Sequence, residues 1–268
     1  MTESRWVRVS LRVLTWVVLS FLYLPLLIVA INAFNVSGFM EWPPPGFSLR
    51  WFSEALANQT IIQAFVTSVV AALGAVAIAL VLGTLAAMAV QRFSFFGRES
   101  VSFLLVLPIA LPGVITGIAL SSTFQTFGVT LGLMTIVVGH ATFCVVIAYN
   151  NVIARLRRLP RSPEEASADL GADIWITFRR ITLPGMRTAL LSGGLLAFAL
   201  SFDEVIVTLF TAGPGTQTIP IWVLGAMQRP TQLPVVNVVA IILVLLSVIP
   251  VYLAERIGGA DATAGGRY

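Results

Sequence analysis

Residues 162 to 184 read SPEEASADLGADIWITFRRITLP, a polar and amphipathic stretch set between long apolar runs. Ser162, followed by Pro163 and three places on by Glu165, has the form of a capping box, in which the hydroxyl accepts from first-turn amides and the carboxylate reaches back. A helix is expected to start there. From that start Ala166, Leu170, Ile174, Trp175 and Phe178 fall on one stripe at helical spacing, while Glu164, Ser167, Asp169, Asp173 and Thr177 lie away from it. Gly171 stands inside the pattern at a cost of about 1 kcal/mol against alanine, so a bend or a close backbone contact is expected, with two short helices in place of one long one. The first half is acidic, whereas a helix lying on a lipid surface usually carries basic residues beside its apolar stripe. The stretch reads as a docking element for another protein.

Outward from it, the composition is that of a chain in lipid. The 268 residues are 57% hydrophobic and 10% charged, with a mean hydropathy of +0.94, too apolar for a soluble domain. Arg5, Arg8 and Arg12 precede an apolar run from Val13 to Ala33, which at ~1.5 Å per residue crosses a hydrocarbon core of ~30 Å. It is too long for the core of a cleaved signal peptide and reads as a retained first helix. Further spans are expected at 61–90, 101–124, 133–153, 187–210 and 235–254. The loop from Asn32 to Gln59 carries Pro43-Pro44-Pro45-Gly46, with Trp42, Phe47, Trp51 and Phe52 suited to a membrane interface. The expected fold class is therefore all-α integral membrane, with six transmembrane helices. Its organisation is an N-terminal segment 1–12, a transmembrane domain 13–256 that carries segment 162–184, and a flexible tail 257–268.

Charge placement orients the bundle and excludes several chemistries. All sixteen basic residues are arginine, and all but Arg50 and Arg229 fall in the N-terminus, the 91–100 turn, the 155–187 region and the C-terminus. The positive-inside rule then places both termini and segment 162–184 in the cytoplasm. A phosphate-binding P-loop needs a lysine, and this chain has none, so it holds no such nucleotide site. With one cysteine, Cys144, and one histidine, His140, neither a disulfide framework nor a His/Cys metal site is suggested. Both read as packing residues in the fourth span. No nucleic-acid signature is present.

Two features inside the spans carry chemistry. Pro108, Pro112 and Gly113 should kink or loosen the third helix, as a gate or as a static bend. Asp203 and Glu204 are adjacent carboxylates in the apolar run 195–210. A charge at the bilayer centre costs about 2.5–3.5 kcal/mol on insertion scales, so such residues normally face a partner or a water-filled path. Counted from Arg187 they lie ~24 Å along the helix, in its outer half. One reading has them attract and pass an ammonium group, with Asp203 favoured for the path. The other is a structural ion pair with Arg229 or a neighbouring chain.

The residues of the opening stretch also carry a resemblance. Glu165-Ala166-Ser167, three residues, Gly171, nine residues, then Ile181-Thr182-Leu183-Pro184 resembles the EAA---G---------I-LP signature of permease subunits of type I ABC importers. Ser167 departs from it where the family has a second alanine. The resemblance implies a MetI-like permease fold and a cytoplasmic coupling helix seated in a groove of the ATPase subunit, with Glu165, Ala166, Ser167, Gly171, Ala172, Ile181, Leu183 and Pro184 as the coupling residues. Ser201-Phe202-Asp203-Glu204-Val205, LPIALPG at 107–113, GHATFCVV at 139–146 and TAGPGTQTIPIW at 211–222 resemble permeases of the spermidine/putrescine importer group, in particular the C-type subunit.

That likeness implies a polyamine path including Asp203, Glu204 and Trp222, in a bacterial inner membrane. It implies as partners a second homologous permease, two copies of an ATPase that uses ATP and magnesium, and an extracytoplasmic solute-binding protein. The chain itself is expected to bind no cofactor and to be no enzyme. Alternatives are an importer permease for an aminoalkylphosphonate or an amino acid derivative, or a proton-coupled secondary transporter using Asp203 or Glu204.

Overall fold

A computed structural model describes residues 5–39 and 41–264, with side chains as far as 257. The chain is helical nearly throughout, as lipid requires of a backbone that must satisfy its own hydrogen bonds. In order the helices are α1 (Arg5–Ala33), α2 (Arg50–Ala57), α3 (Gln59–Arg92), α4 (Arg98–Ala110), α5 (Gly113–Thr126), α6 (Leu133–Leu156), α7 (Ser162–Asp169), α8 (Ile174–Thr177), α9 (Leu183–Phe202), α10 (Ile206–Thr211), α11 (Ile219–Ala226) and α12 (Leu233–Ala264). A π-helical turn, Phe178–Thr182, joins α8 to α9. Among the described residues extended pairing is confined to an isolated bridge between Asn35 and Phe47.

Among the described residues five helical stretches are long and apolar enough to cross a membrane, namely Arg5–Ala33, Gln59–Arg92, Leu133–Leu156, Ile174–Phe202 and Pro230–Ile257. The pair α4 and α5 makes a sixth if counted as one broken span. That pair bends by 103°, far more than the kink expected from sequence. The cause is Pro112: Leu111 before it is extended at ψ 141, as a residue preceding proline prefers, and α5 restarts at Gly113. Pro108 lies inside α4 without breaking it.

The fifth span also departs from the single helix expected over 187–210. α9 ends at Phe202, residues 203–205 are not helical, and α10 resumes at Ile206. The expected loop 211–234 contains α11 and a 3-10 turn, Pro230–Gln232. In the tail 257–268, α12 runs on to Ala264, and residues 265–268 lie outside the described residues, as do residues 1–4 of the N-terminal segment.

The chain divides into two compact units, residues 1–62 with 222–245, and residues 63–221 with 246–268. In the first, Trp51 Nε1 donates to Asn35 O at 2.7 Å, and Phe34 and Phe52 pack at 4.9 Å between ring centroids. Trp51 is buried, so it forms the core of this loop and not an interfacial anchor, whereas Trp42 and Phe47 are exposed. In the second unit α3, α6 and α9 share a core of small side chains: Ala75, Ala79, Ala141, Cys144, Ala148 and Ala197, closed by Phe143 and Val207. A Cβ placed on Gly83 would stand 2.8 Å from Ala148 Cβ and 2.8 Å from Tyr149 N. The helix backbones of α3 and α6 therefore touch, the packing that small residues permit in membranes. Ser102 Oγ and Tyr149 OH, 2.8 Å apart, tie α4 to α6.

Candidate functional site

The first candidate site is segment 162–184. A helix does form there, but Ser162 does not cap it. The N-cap is Arg161, whose carbonyl accepts from both Glu164 N at 2.9 Å and Glu165 N at 3.0 Å. Pro163, lacking an N–H, occupies the first turn at no hydrogen-bond cost, and the helix starts one residue earlier than a Ser162 cap implies.

α7 ends in a Schellman arrangement. Ala172 N donates to Ser167 O at 3.0 Å and Gly171 N to Ala168 O at 2.9 Å, with Gly171 at φ +81, the left-handed conformation that glycine reaches without penalty. A Cβ on Gly171 would meet nothing within 4 Å in this chain. Of the two roles expected for this glycine, the structure shows the bend. Asp173 then caps α8, its Oδ1 accepting from Ile176 N at 2.7 Å.

Because the helix is broken, the expected stripe is split. Leu170 is 88% exposed, Ile174 89% and Trp175 67%, and Ala166 is exposed beside them. Phe178 turns inward, stacked on Trp175 at 5.7 Å and packed against the cluster of Met186, Val152 and Leu156. Glu165, Asp169 and Pro184 are exposed, Ala172, Ile181 and Leu183 half-buried. Ser167 is buried, and its hydroxyl pairs with Thr177 Oγ1 at 2.9 Å. The serine that departs from the family pattern thus joins α7 to α8.

Glu164, which the helical pattern places away from the apolar stripe, anchors this segment. Arg92 Nη2 at the end of α3 donates to Glu164 Oε1 at 2.7 Å, and Thr182 Oγ1 donates to the same oxygen at 2.9 Å. Arg161 Nη2 also donates to Gln91 O at 3.3 Å. α7 is therefore fastened to the end of α3 and to Thr182, the N-cap of α9, together. No periodicity marks Glu164, because its partners lie 72 and 18 residues away.

The second candidate site is the break at 203–205. Asp203 and Glu204 were expected on a continuous helix about 100° apart; instead Asp203 is the C-cap of α9 and Glu204 lies outside any helix. Glu204 Oε1 accepts from Val207 N at 2.9 Å, so this carboxylate caps the amides that α10 would otherwise leave open. Asp203 is exposed, Glu204 half-buried. Asp203 Oδ1 accepts from Ser247 Oγ of α12 at 3.0 Å. Trp222 lies in α11 and is buried. Pro112 and Gly113 approach the same region, since a Cβ on Gly113 would be 3.4 Å from Ile206 Cγ2, and Gly117 packs against Phe210. The 103° bend and the carboxylate break are thus neighbours, which nothing in the sequence spacing indicates.

His140 is the residue whose part in this site was missed. It is buried, with Nδ1 2.8 Å from Ser201 Oγ and Nε2 2.8 Å from Thr208 Oγ1. The available signal was a lone polar ring in an apolar span opposite hydroxyl residues flanking a carboxylate pair. Among the described residues no group of three or more His, Cys, Asp or Glu could hold a metal ion.

Comparison with known proteins adds the following. A family model described as binding-protein-dependent transport system inner membrane component matches residues 79–258. The chain is 37% identical over 229 residues to the putrescine transport system permease protein PotI of Escherichia coli K12, covering 82% of this chain and 80% of that one. It is 32% identical over 243 residues to the spermidine/putrescine transport system permease protein PotC of Haemophilus influenzae, covering 90% and 93%. A chain of a bacterial ABC transporter involved in import of the acidic polysaccharide alginate superposes with a TM-score of 0.71 over 96% of this chain and 98% of that one, at 15% identity. A chain of the inward-facing MetNI methionine ABC transporter gives 0.53 over 78% and 100%, at 18% identity. These two likenesses concern the fold.

Proposed function

The chain belongs to the binding-protein-dependent transport system inner membrane components, and on that premise we propose that it forms half of the translocation path of an ATP-driven importer for a small cationic solute, a polyamine such as putrescine or spermidine. The substrate class is drawn from the relatives named for putrescine and spermidine transport. The observation that carries it in this chain is the exposed Asp203 carboxylate standing at the C-terminal end of α9, inside a break in an apolar span. The last carbonyls of a helix carry partial negative charge, and broken helices in transporters present such ends to cations. An ammonium group passing Asp203 would meet a carboxylate and that helix end together. Glu204, occupied by Val207 N, serves the backbone.

In this reading the chain lies in a bacterial inner membrane with both termini and segment 162–184 cytoplasmic. Leu170, Ile174 and Trp175 seat in an ATPase subunit. A second permease completes the path, and an extracytoplasmic binding protein delivers the solute. ATP and magnesium act on the ATPase dimer; its closure draws the coupling segments together, and the pull reaches α3 and α9 through Glu164. The path then opens outward, and hydrolysis resets it.

The test is ATPase activity of the reconstituted complex with its binding protein, titrated with putrescine, spermidine and neutral or anionic analogues, for wild type and Asp203→Asn. Stimulation by polyamines that Asp203→Asn loses is the expected result. Stimulation by a different solute, or polyamine stimulation indifferent to Asp203, would overturn the selectivity reading.

A further inference from the structure

One imidazole touches both sides of the carboxylate break. Ser201, in the last turn of α9, meets His140 Nδ1 at 2.8 Å, and Thr208, in α10, meets Nε2 at 2.8 Å. Thr208 has a single hydroxyl proton, which it donates to Glu204 O at 2.9 Å. Toward the ring it can only accept, so Nε2 carries the proton, and Nδ1 accepts from the Ser201 hydroxyl. The chain of bonds runs Ser201 to His140 to Thr208 to the Glu204 carbonyl.

α6 holds the far end of α10 as well. Thr135 Oγ1 lies 2.7 Å from Thr211 O. α6 itself is set against α3 through the backbone contact at Gly83, and against α9 at Gly193, where a Cβ would stand 3.1 Å from Asn151 Cβ. The segment carrying the carboxylates is thus suspended from a helix with little room to shift. A break in lipid frees backbone groups that water cannot satisfy, and a leucine at 140 would fill space without setting an angle between the two helix ends.

We propose that His140 is a positioning residue of the substrate path: by bridging Ser201 and Thr208 it fixes the geometry of the break and holds the Asp203 carboxylate where an ammonium group passes. This rests on the assignment of Asp203 made above. His140 acts through that carboxylate without touching the solute.

The test uses the assembled importer with its ATPase and binding protein. Putrescine uptake is measured for wild type, His140→Leu, Asp203→Asn and the double variant, with the yield of complex from the same preparations. His140→Leu is expected to raise KM about tenfold through loss of two hydrogen bonds, leaving yield and maximal rate near wild type, and to add nothing in the Asp203→Asn background. An effect that multiplies with Asp203→Asn, or that falls only on yield and maximal rate, overturns the proposal. If the leucine variant does not assemble, Ser201→Ala and Thr208→Val each remove one arm, and each should raise KM only while Asp203 is present.

Thiol labelling separates this proposal from the reading beneath it. Cys144, free and buried, is replaced by alanine, and the modification rate of Asp203→Cys is compared with and without His140→Leu. A several-fold change in rate, with wild-type uptake by Asp203→Asn, would retain the positioning role and discard Asp203 from the path. An unchanged rate discards the positioning role whatever Asp203 does.

Discussion

The breaks at 170–173 and at 203–205 are closed by opposite means. At the first, the chain uses what is adjacent in sequence: Gly171 adopts φ +81, two backbone amides close the end of α7, and Asp173 caps α8. At the second, Glu204 supplies a local cap, but the two helix ends are joined through His140, more than 60 residues away in sequence. The first lies in a polar segment where water can satisfy any group left over. The second lies in an apolar span, where an unpaired backbone group costs several kcal/mol. A break exposed to water can be written locally, whereas one in lipid has to take partners from a neighbouring helix. The first also leaves its apolar side chains outward, as a surface that another protein can cover, while the second leaves a carboxylate exposed between the buried Phe202 and Val207.

Substitutions at the two breaks should therefore differ in size and in kind. The largest loss is expected for Glu204→Leu, which strands Val207 N in an apolar setting at about 1–3 kcal/mol; a lower Tm of the detergent-solubilised complex would register it, and an unchanged Tm would mean that water reaches the second break too. Next comes Gly171→Val, where a left-handed conformation costs a residue with a Cβ roughly 1–2 kcal/mol and no side-chain contact can be blamed, since a Cβ there meets nothing within 4 Å. ATPase-coupled uptake should fall with it, because the turn at Gly171 sets the angle between α7 and α8, which carries the exposed Ile174 and Trp175. Asp173→Ala should cost about 1 kcal/mol as a lost cap, with Asp173→Ser largely restoring both Tm and uptake. Smallest is Glu164→Gln, about 1 kcal/mol or less for a partly exposed ion pair, a difference that 0.5 M salt should shrink. A Glu164→Gln loss larger than that of Gly171→Val would show that tertiary anchoring, and not the local turn, determines the first break.

The same contrast explains what was legible in the sequence. Segment 162–184 could be read closely in its division at Gly171, because turn chemistry is local, although its cap is Arg161 and not Ser162 and the break splits the stripe. The spans were legible because length and hydropathy are local too. What escaped were the joints made at long range. Glu164 finds Arg92 and Thr182, His140 finds Ser201 and Thr208, and the Asp203–Glu204 pair sits at a helix end and not along a helix. No glycine or proline lies between Leu195 and Ala212 to announce that end. Pro112 was visible as a kink, but its 103° was not, because the angle depends on what α5 packs against, and that is Phe210 of a helix the sequence did not announce.

Glu164 Oε1 receives Arg92 and Thr182 on one atom. On the proposed docking role, a displacement of this segment would load the end of α3 and the start of α9 together through that one carboxylate oxygen. If an ATPase drives the segment as proposed, a looser linkage at that atom would shorten the stroke delivered before it weakened the fold.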